Sequence, residues 1–134
     1  MAALGELMNT ELDEYHYQKW YLENFSYRED VLVLDIARIQ VKGDHNISPR
    51  YLISFDDVRH FQIYDEVMHT EKEMNTRVGG VIGIHKNSAL MQYLSSQTKV
   101  LELTPGESNH YSVLTTDEFI HVVTRSEPKI TKIT

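Results

Sequence analysis

The run Val31-Leu-Val-Leu-Asp-Ile-Ala-Arg-Ile-Gln-Val41 constrains this chain more than any other segment. Its first half is apolar at consecutive positions, its second half alternates, and β-branched residues are frequent throughout. A membrane helix needs roughly 18–20 apolar residues, which neither this run nor any other provides. β-Branched residues fit a pleated surface, and a strand apolar on both faces belongs inside a sheet. The segment therefore reads as a central strand, and the chain must supply partners for it.

Further strands follow at short intervals. Tyr51, Ile53 and Phe55 alternate with Leu52, Ser54 and Asp56, and Phe61 and Ile63 alternate with Gln62 and Tyr64. Asp56-Asp57 separates these two runs and reads as the turn or bulge of an antiparallel meander. Lys42–Pro49 collects Gly, Asp, Asn, Ser and Pro and reads as a loop. Val78-Gly-Gly-Val-Ile-Gly-Ile84 reads as a glycine-punctuated strand, Lys99–Leu103 as a short strand, and Pro105-Gly106 as a turn. Tyr111–Val123 reads as a hairpin turning near Thr115–Glu118.

Two helical patterns interrupt the strands. Leu4, Leu7, Met8, Leu12 and Tyr15 recur at spacings of three and four, and Thr10 with Asp13 matches a capping box. Ala89–Leu94 has an apolar face behind Asn87 or Ser88 as cap. Residues 17–27 carry aromatics on both alternating sets and fit neither period. The expected fold is α+β: one domain over 1–134, with a mostly antiparallel sheet of about six to seven strands, an N-terminal helix and one mid-chain helix. One sheet face is expected to pack on the helices, leaving the other to solvent or a partner.

Composition narrows the function classes. The chain has 134 residues and no cysteine, which excludes disulfides, thiolate nucleophiles and Cys-ligated zinc. No basic start precedes an apolar run at the N-terminus, so the expected compartment is the cytoplasm. Residues 1–73 hold 15 acidic and 7 basic side chains, a net of −8, and residues 74–134 hold 5 and 6, a net of +1. Negative potential on the leading half disfavours nucleic acid and favours basic surfaces.

Motifs for chemistry are sparse. There is no Gly-x-Ser-x-Gly elbow and no His-Glu-x-x-His, and the glycines at 79, 80 and 83 lack dinucleotide-fingerprint spacing. Glycines at those positions instead permit a bend or close packing. His69 and Glu73 stand at i, i+4, which on a helix would share a face, but two ligands do not complete a metal site. A two-residue turn at Thr116-Asp117 would set His121 opposite Ser112, with His110 as its diagonal neighbour on the same strand face. Such a pair could share a proton, a metal or an anion; a solvated strand face is the alternative. Neighbouring carboxylates are plentiful, but adjacent strand residues point to opposite faces and make poor catalytic dyads. As an acidic surface they carry more weight, above all in the polar stretch Asp65–Arg77, expected as a loop or short surface helix.

Three segments resemble small uncharacterised bacterial α+β proteins of the toxin-immunity type. They are Tyr27-Arg-Glu-Asp-Val-Leu-Val-Leu34, Tyr51-Leu-Ile-Ser-Phe-Asp-Asp-Val58 with Phe61-Gln-Ile-Tyr-Asp-Glu66, and His110–Val123. This chain has Glu29-Asp30 where such proteins commonly have His-Asp. The resemblance implies non-enzymatic binding of a basic toxin through an acidic surface. The expected function is thus a protein-binding module that needs no cofactor or metal and engages neither nucleic acid nor membrane. Its expected contact residues are Asp56, Asp57, Tyr64, Asp65, Glu66, Glu71 and Glu73. The alternatives are a small-molecule-binding protein or enzyme that uses the hairpin histidines and a nearby carboxylate, and a structural subunit that oligomerises through an open sheet face.

Overall fold

Aromatic residues on both alternating sets of residues 17–27 do not prevent a strand there. In the computed structural model, which describes residues 9–39, 48–102 and 106–133, Trp20–Arg28 forms β1. It begins a sheet completed by β2 (Val31–Arg38), β3 (Arg50–Phe55) and β9 (Lys129–Lys132), in the order β1-β2-β3-β9. A second sheet runs β4-β8-β7-β6-β5, from β4 (Val58–Asp65), β5 (Arg77–Gly79), β6 (Ile82–His85), β7 (Asn109–Leu114) and β8 (Glu118–Thr124). Every pairing is antiparallel. The helices are α1 (Glu71–Asn75) and α2 (Ala89–Gln97), with 3₁₀ turns at Glu11–Glu14, Tyr17–Lys19 and Glu66–Met68. None is long and apolar enough to cross a membrane.

The α+β class with a mostly antiparallel arrangement holds, but among the described residues nine strands in two sheets replace the expected six to seven in one. Asp56-Asp57 is not a hairpin turn. It carries the chain from the first sheet to the second, with Asp57 at φ 55°, so β3 and β4 do not pair. The glycine-punctuated run splits into β5 and β6, which fold back on each other at Gly80-Val81. Lys99–Glu102 is turn rather than strand. The N-terminal capping box is present, with Thr10 Oγ1 accepting from Leu12 N and Asp13 from Thr10 N, but it caps a 3₁₀ turn. The residues of the expected N-terminal helix before Asn9, most of the 42–49 loop and Pro105 lie outside the described residues.

The two sheets share one apolar core. Leu32, Leu34, Ile36, Ile53 and Phe55 of the first share one cluster with Ile82, Tyr111, Val113, Ile120 and Val122 of the second, and Trp20 and Leu12 belong to it as well. Burying each large aliphatic side chain is worth roughly 1.5–3 kcal/mol before entropy is counted. In β2 only the Leu32-Leu34-Ile36 face is sealed, while Val31, Val33 and Asp35 on the other face are half-buried. The strands closed on both faces are β6, β7 and β8. Their second face is covered by the helices: Leu90 and Leu94 of α2 pack on Val123.

Candidate functional site

Pairing register puts two adjacent rows of side chains on the helix-covered face of the second sheet. One row reads His60, Val123, His110, His85, Arg77, and the next reads Gln62, His121, Ser112, Gly83, Gly79. The expected opposition of Ser112 and His121 is therefore found, with His110 diagonal to His121. The centre of the face is buried: His85, His110 and His121 are 6%, 1% and 2% exposed. Ring centroids lie 4.0 Å apart for His85–His110, 4.9 Å for His110–His121 and 5.3 Å for His85–His121.

Buried imidazoles need partners for both nitrogens. His85 Nδ1 donates to the Glu73 carbonyl at 3.0 Å, which fixes its tautomer, and its Nε2 accepts from the Ser112 hydroxyl at 2.8 Å. Ser112 Oγ in turn accepts from Arg77 Nε at 2.6 Å. His110 Nδ1 meets Ser88 Oγ at 2.7 Å, His110 Nε2 meets His121 Nδ1 at 2.6 Å, and His121 Nε2 meets the Tyr64 hydroxyl at 2.6 Å. That chain can be filled with protons in either direction, since each hydroxyl can donate or accept.

Burial sets the electrostatics. Desolvation pushes His85 down to about 3, His110 to about 2 and His121 to about 4, with neighbouring imidazoles and Arg77 adding to the effect. All three rings are neutral near pH 7, the form that ligates metal or passes a proton. Arg77 is pushed down to about 10, again mainly by desolvation, and keeps its charge. Its guanidinium is wrapped by the carbonyls of Gly80 at 2.5 Å and Val81 at 3.1 Å. Gly83 makes room for it, because a Cβ there would stand 2.5 Å from Arg77 Cζ.

Two cavities flank the imidazoles. One, of ≈ 360 Å³, reaches His121 and Tyr64 beneath Met68, Thr70 and Glu73. The other, of ≈ 350 Å³, reaches His85, His110 and Ser88 beside Met91 of α2.

The residues expected to form an acidic contact surface take different places. Asp56 pairs with Lys129 at 2.9 Å, and Asp57 pairs with Arg59 and with Arg125 at 3.5 Å. Tyr64 stacks on His121, 5.3 Å between centroids and 13° from parallel. Glu73 is taken up by structure: its carboxylate accepts from the first two amides of α2, Ala89 N at 3.2 Å and Leu90 N at 3.1 Å. Asp65 caps the Glu66–Met68 turn through Val67 N, and Glu71 is exposed at the start of α1. His69 lies outside α1 and donates from Nδ1 to the Glu66 carbonyl, so it shares no helix face with Glu73.

Glu73 and Ser88 together finish the N-terminus of α2, where free amides and the helix dipole favour a carboxylate. Glu73→Ala is expected to cost about 1 kcal/mol. Hydrogen exchange that quickens at the Ala89 and Leu90 amides would locate the loss.

Sequence reasoning missed His85, Tyr64 as an imidazole partner, Ser88 beyond its capping role, and Arg77. The available signal was His85 two positions after Gly83 on an apolar strand, which becomes informative only once β6 is paired with β7. No protein-family model, curated protein or solved structure matches the chain, so the geometry of its own residues carries the functional reading.

Proposed function

We propose that the chain is a non-enzymatic binding module that docks a basic protein partner on the segment from Asp65 to Asn75, with toxin neutralisation as its most concrete form. One observation carries the reading. Val67 and Met68 are 72% and 68% exposed, on a short turn flanked by Asp65, Glu66 and Glu71. Exposed apolar side chains rimmed by charge of one sign are the composition of an interaction patch. The segment 65–75 holds four acids and one lysine, a net of −3. Asp56 and Asp57, already paired with cations, contribute less to such a field. The cavity beneath Met68, bordered by Tyr64 and Glu73, would receive a side chain of the partner.

The test uses the basic protein that co-purifies with this chain from its native cell. Glu66→Lys with Glu71→Lys is expected to slow association about tenfold at low salt and to flatten its salt dependence. Glu73 is left intact because it caps α2. Recovery of only neutral or acidic proteins, or rates indifferent to the reversal at both salt concentrations, would overturn the proposal.

A further inference from the structure

We propose that His85, His110 and His121 form a binding site for a single first-row divalent transition ion of the zinc class, buried between the second sheet and the helices. One ligand nitrogen from each of the three lies within 4.8 Å of the others. His110 Nε2 and His121 Nδ1 face each other, and His85 Nε2 is held only by the Ser112 hydroxyl. Neutral imidazole is the ligand type that zinc, cobalt, nickel and copper share.

The nitrogens that would not bind the ion carry the argument further. A ligating histidine characteristically donates its other N–H to a fixed acceptor, which sets tautomer and ring orientation. All three acceptors are present, each from a different element. The Glu73 carbonyl of α1 stands 3.0 Å from His85 Nδ1, and Ser88 Oγ stands 2.7 Å from His110 Nδ1. The Tyr64 hydroxyl of β4 stands 2.6 Å from His121 Nε2. Ser88 Oγ also accepts from Met91 N at 3.1 Å, so it can accept twice. Converting the metal-free network to the loaded one therefore needs no proton released from the imidazoles. One ring of the His110–His121 pair shifts tautomer, the hydroxyl beside that ring (Ser88 or Tyr64) turns from donor to acceptor, and the Ser112 hydroxyl turns away from His85 Nε2.

The ligand nitrogens must shift by about an ångström, and one ring must rotate. A tetrahedral ion with bonds of about 2.0–2.1 Å sets its ligand nitrogens ~3.3 Å apart. The His110–His121 contact must open from 2.6 Å, and the widest pair must close from as much as 4.8 Å. His85 and His110 lie 9° from parallel, so their in-plane lone pairs run side by side; binding turns His85 away from that stack. Three neutral ligands leave the ion's charge uncompensated, and Arg77 is adjacent through Ser112. The fourth position therefore favours hydroxide or another small anion.

The experiment adds Co²⁺ to the full chain after chelator treatment and desalting. Expected are one cobalt per chain by elemental analysis, the visible bands of a four-coordinate site, bleaching by Zn²⁺, and a higher unfolding temperature. His110→Ala is expected to abolish the bands. Because that variant could also fail to fold, Tyr64→Phe, which removes only the hydroxyl accepting from His121, provides a second reading. It is expected to weaken Co²⁺ affinity about tenfold or more while the secondary structure seen by circular dichroism stays native. His69→Ala, on the exposed segment, is expected to bind as the parent does. Absence of the bands in folded parent protein would overturn the assignment. So would affinity unchanged in Tyr64→Phe, or cobalt lost from His69→Ala, which would place the ion on the surface.

Discussion

Lowering the pH from about 7.5 to about 5 is expected to remove most of the folding stability of the metal-free chain. Histidine in an unfolded chain titrates near 6.5. Folding holds His85, His110 and His121 neutral down to about 3, 2 and 4, chiefly by excluding water from the rings. Between those limits the unfolded state binds up to three protons that the native state refuses. Stability is thus constant above the unfolded value and declines as the pH falls below it. Three protons correspond to a slope of about 4 kcal/mol per pH unit, set against a typical total of about 5–15 kcal/mol. His60, also lowered by burial, adds to the same slope. Carboxylates titrate mainly below this window, so the loss belongs to imidazoles. Urea denaturation at the two pH values measures it, and His121→Gln should flatten the slope by about a third. Equal stability at both values would show that the rings accept protons in the folded state.

The second large effect concerns a residue with no side chain. Gly83→Ala is expected to destabilise by about 3 kcal/mol, because the new Cβ and the Arg77 guanidinium cannot share the same space. Displacing Arg77 would strip a half-buried cation of the Gly80 and Val81 carbonyls and of Ser112 Oγ. Ser112 would then lose the donor that orients it toward His85. A double-mutant cycle separates this from a simple propensity effect. In an Arg77→Met background the same substitution should cost under about 1 kcal/mol, since the clashing group is gone. Equal costs in both backgrounds would place the strain elsewhere.

The link between surface and interior runs through the segment 65–76. Its outward side chains are the proposed partner contacts, while its inward groups hold the imidazole layer: Tyr64 just before it, the Glu73 carbonyl and the Thr76 hydroxyl. A partner seated on Val67 and Met68 would stand over the cavity that ends on His121. Charge reversal at Glu66 and Glu71 should leave Co²⁺ affinity unchanged, so the two proposals can fail separately.

Local patterns were sufficient for much of this molecule. Thr10 with Asp13, Ser88 before an apolar helix face, and the alternation of Tyr51-Ile53-Phe55 depend on residues within a few positions of each other, where capping and pleat geometry act directly. The register of the β7–β8 hairpin was readable for the same reason, since a short turn fixes which residues oppose. Tertiary structure decided which strands are sealed on both sides. The apolar run at Val31 pointed to β2, yet the doubly covered strands are β6, β7 and β8, whose second face holds His85, His110, Ser112 and His121. Polarity on a strand signals solvent only while nothing in the fold satisfies it. Here Ser88, Tyr64, Arg77 and the Glu73 carbonyl, 12 to 57 residues distant in sequence, supply the partners. Hydrogen bonds between residues so far apart leave no periodic trace in a sequence, so the histidine layer exists only once the sheet is paired and the helices are laid across it.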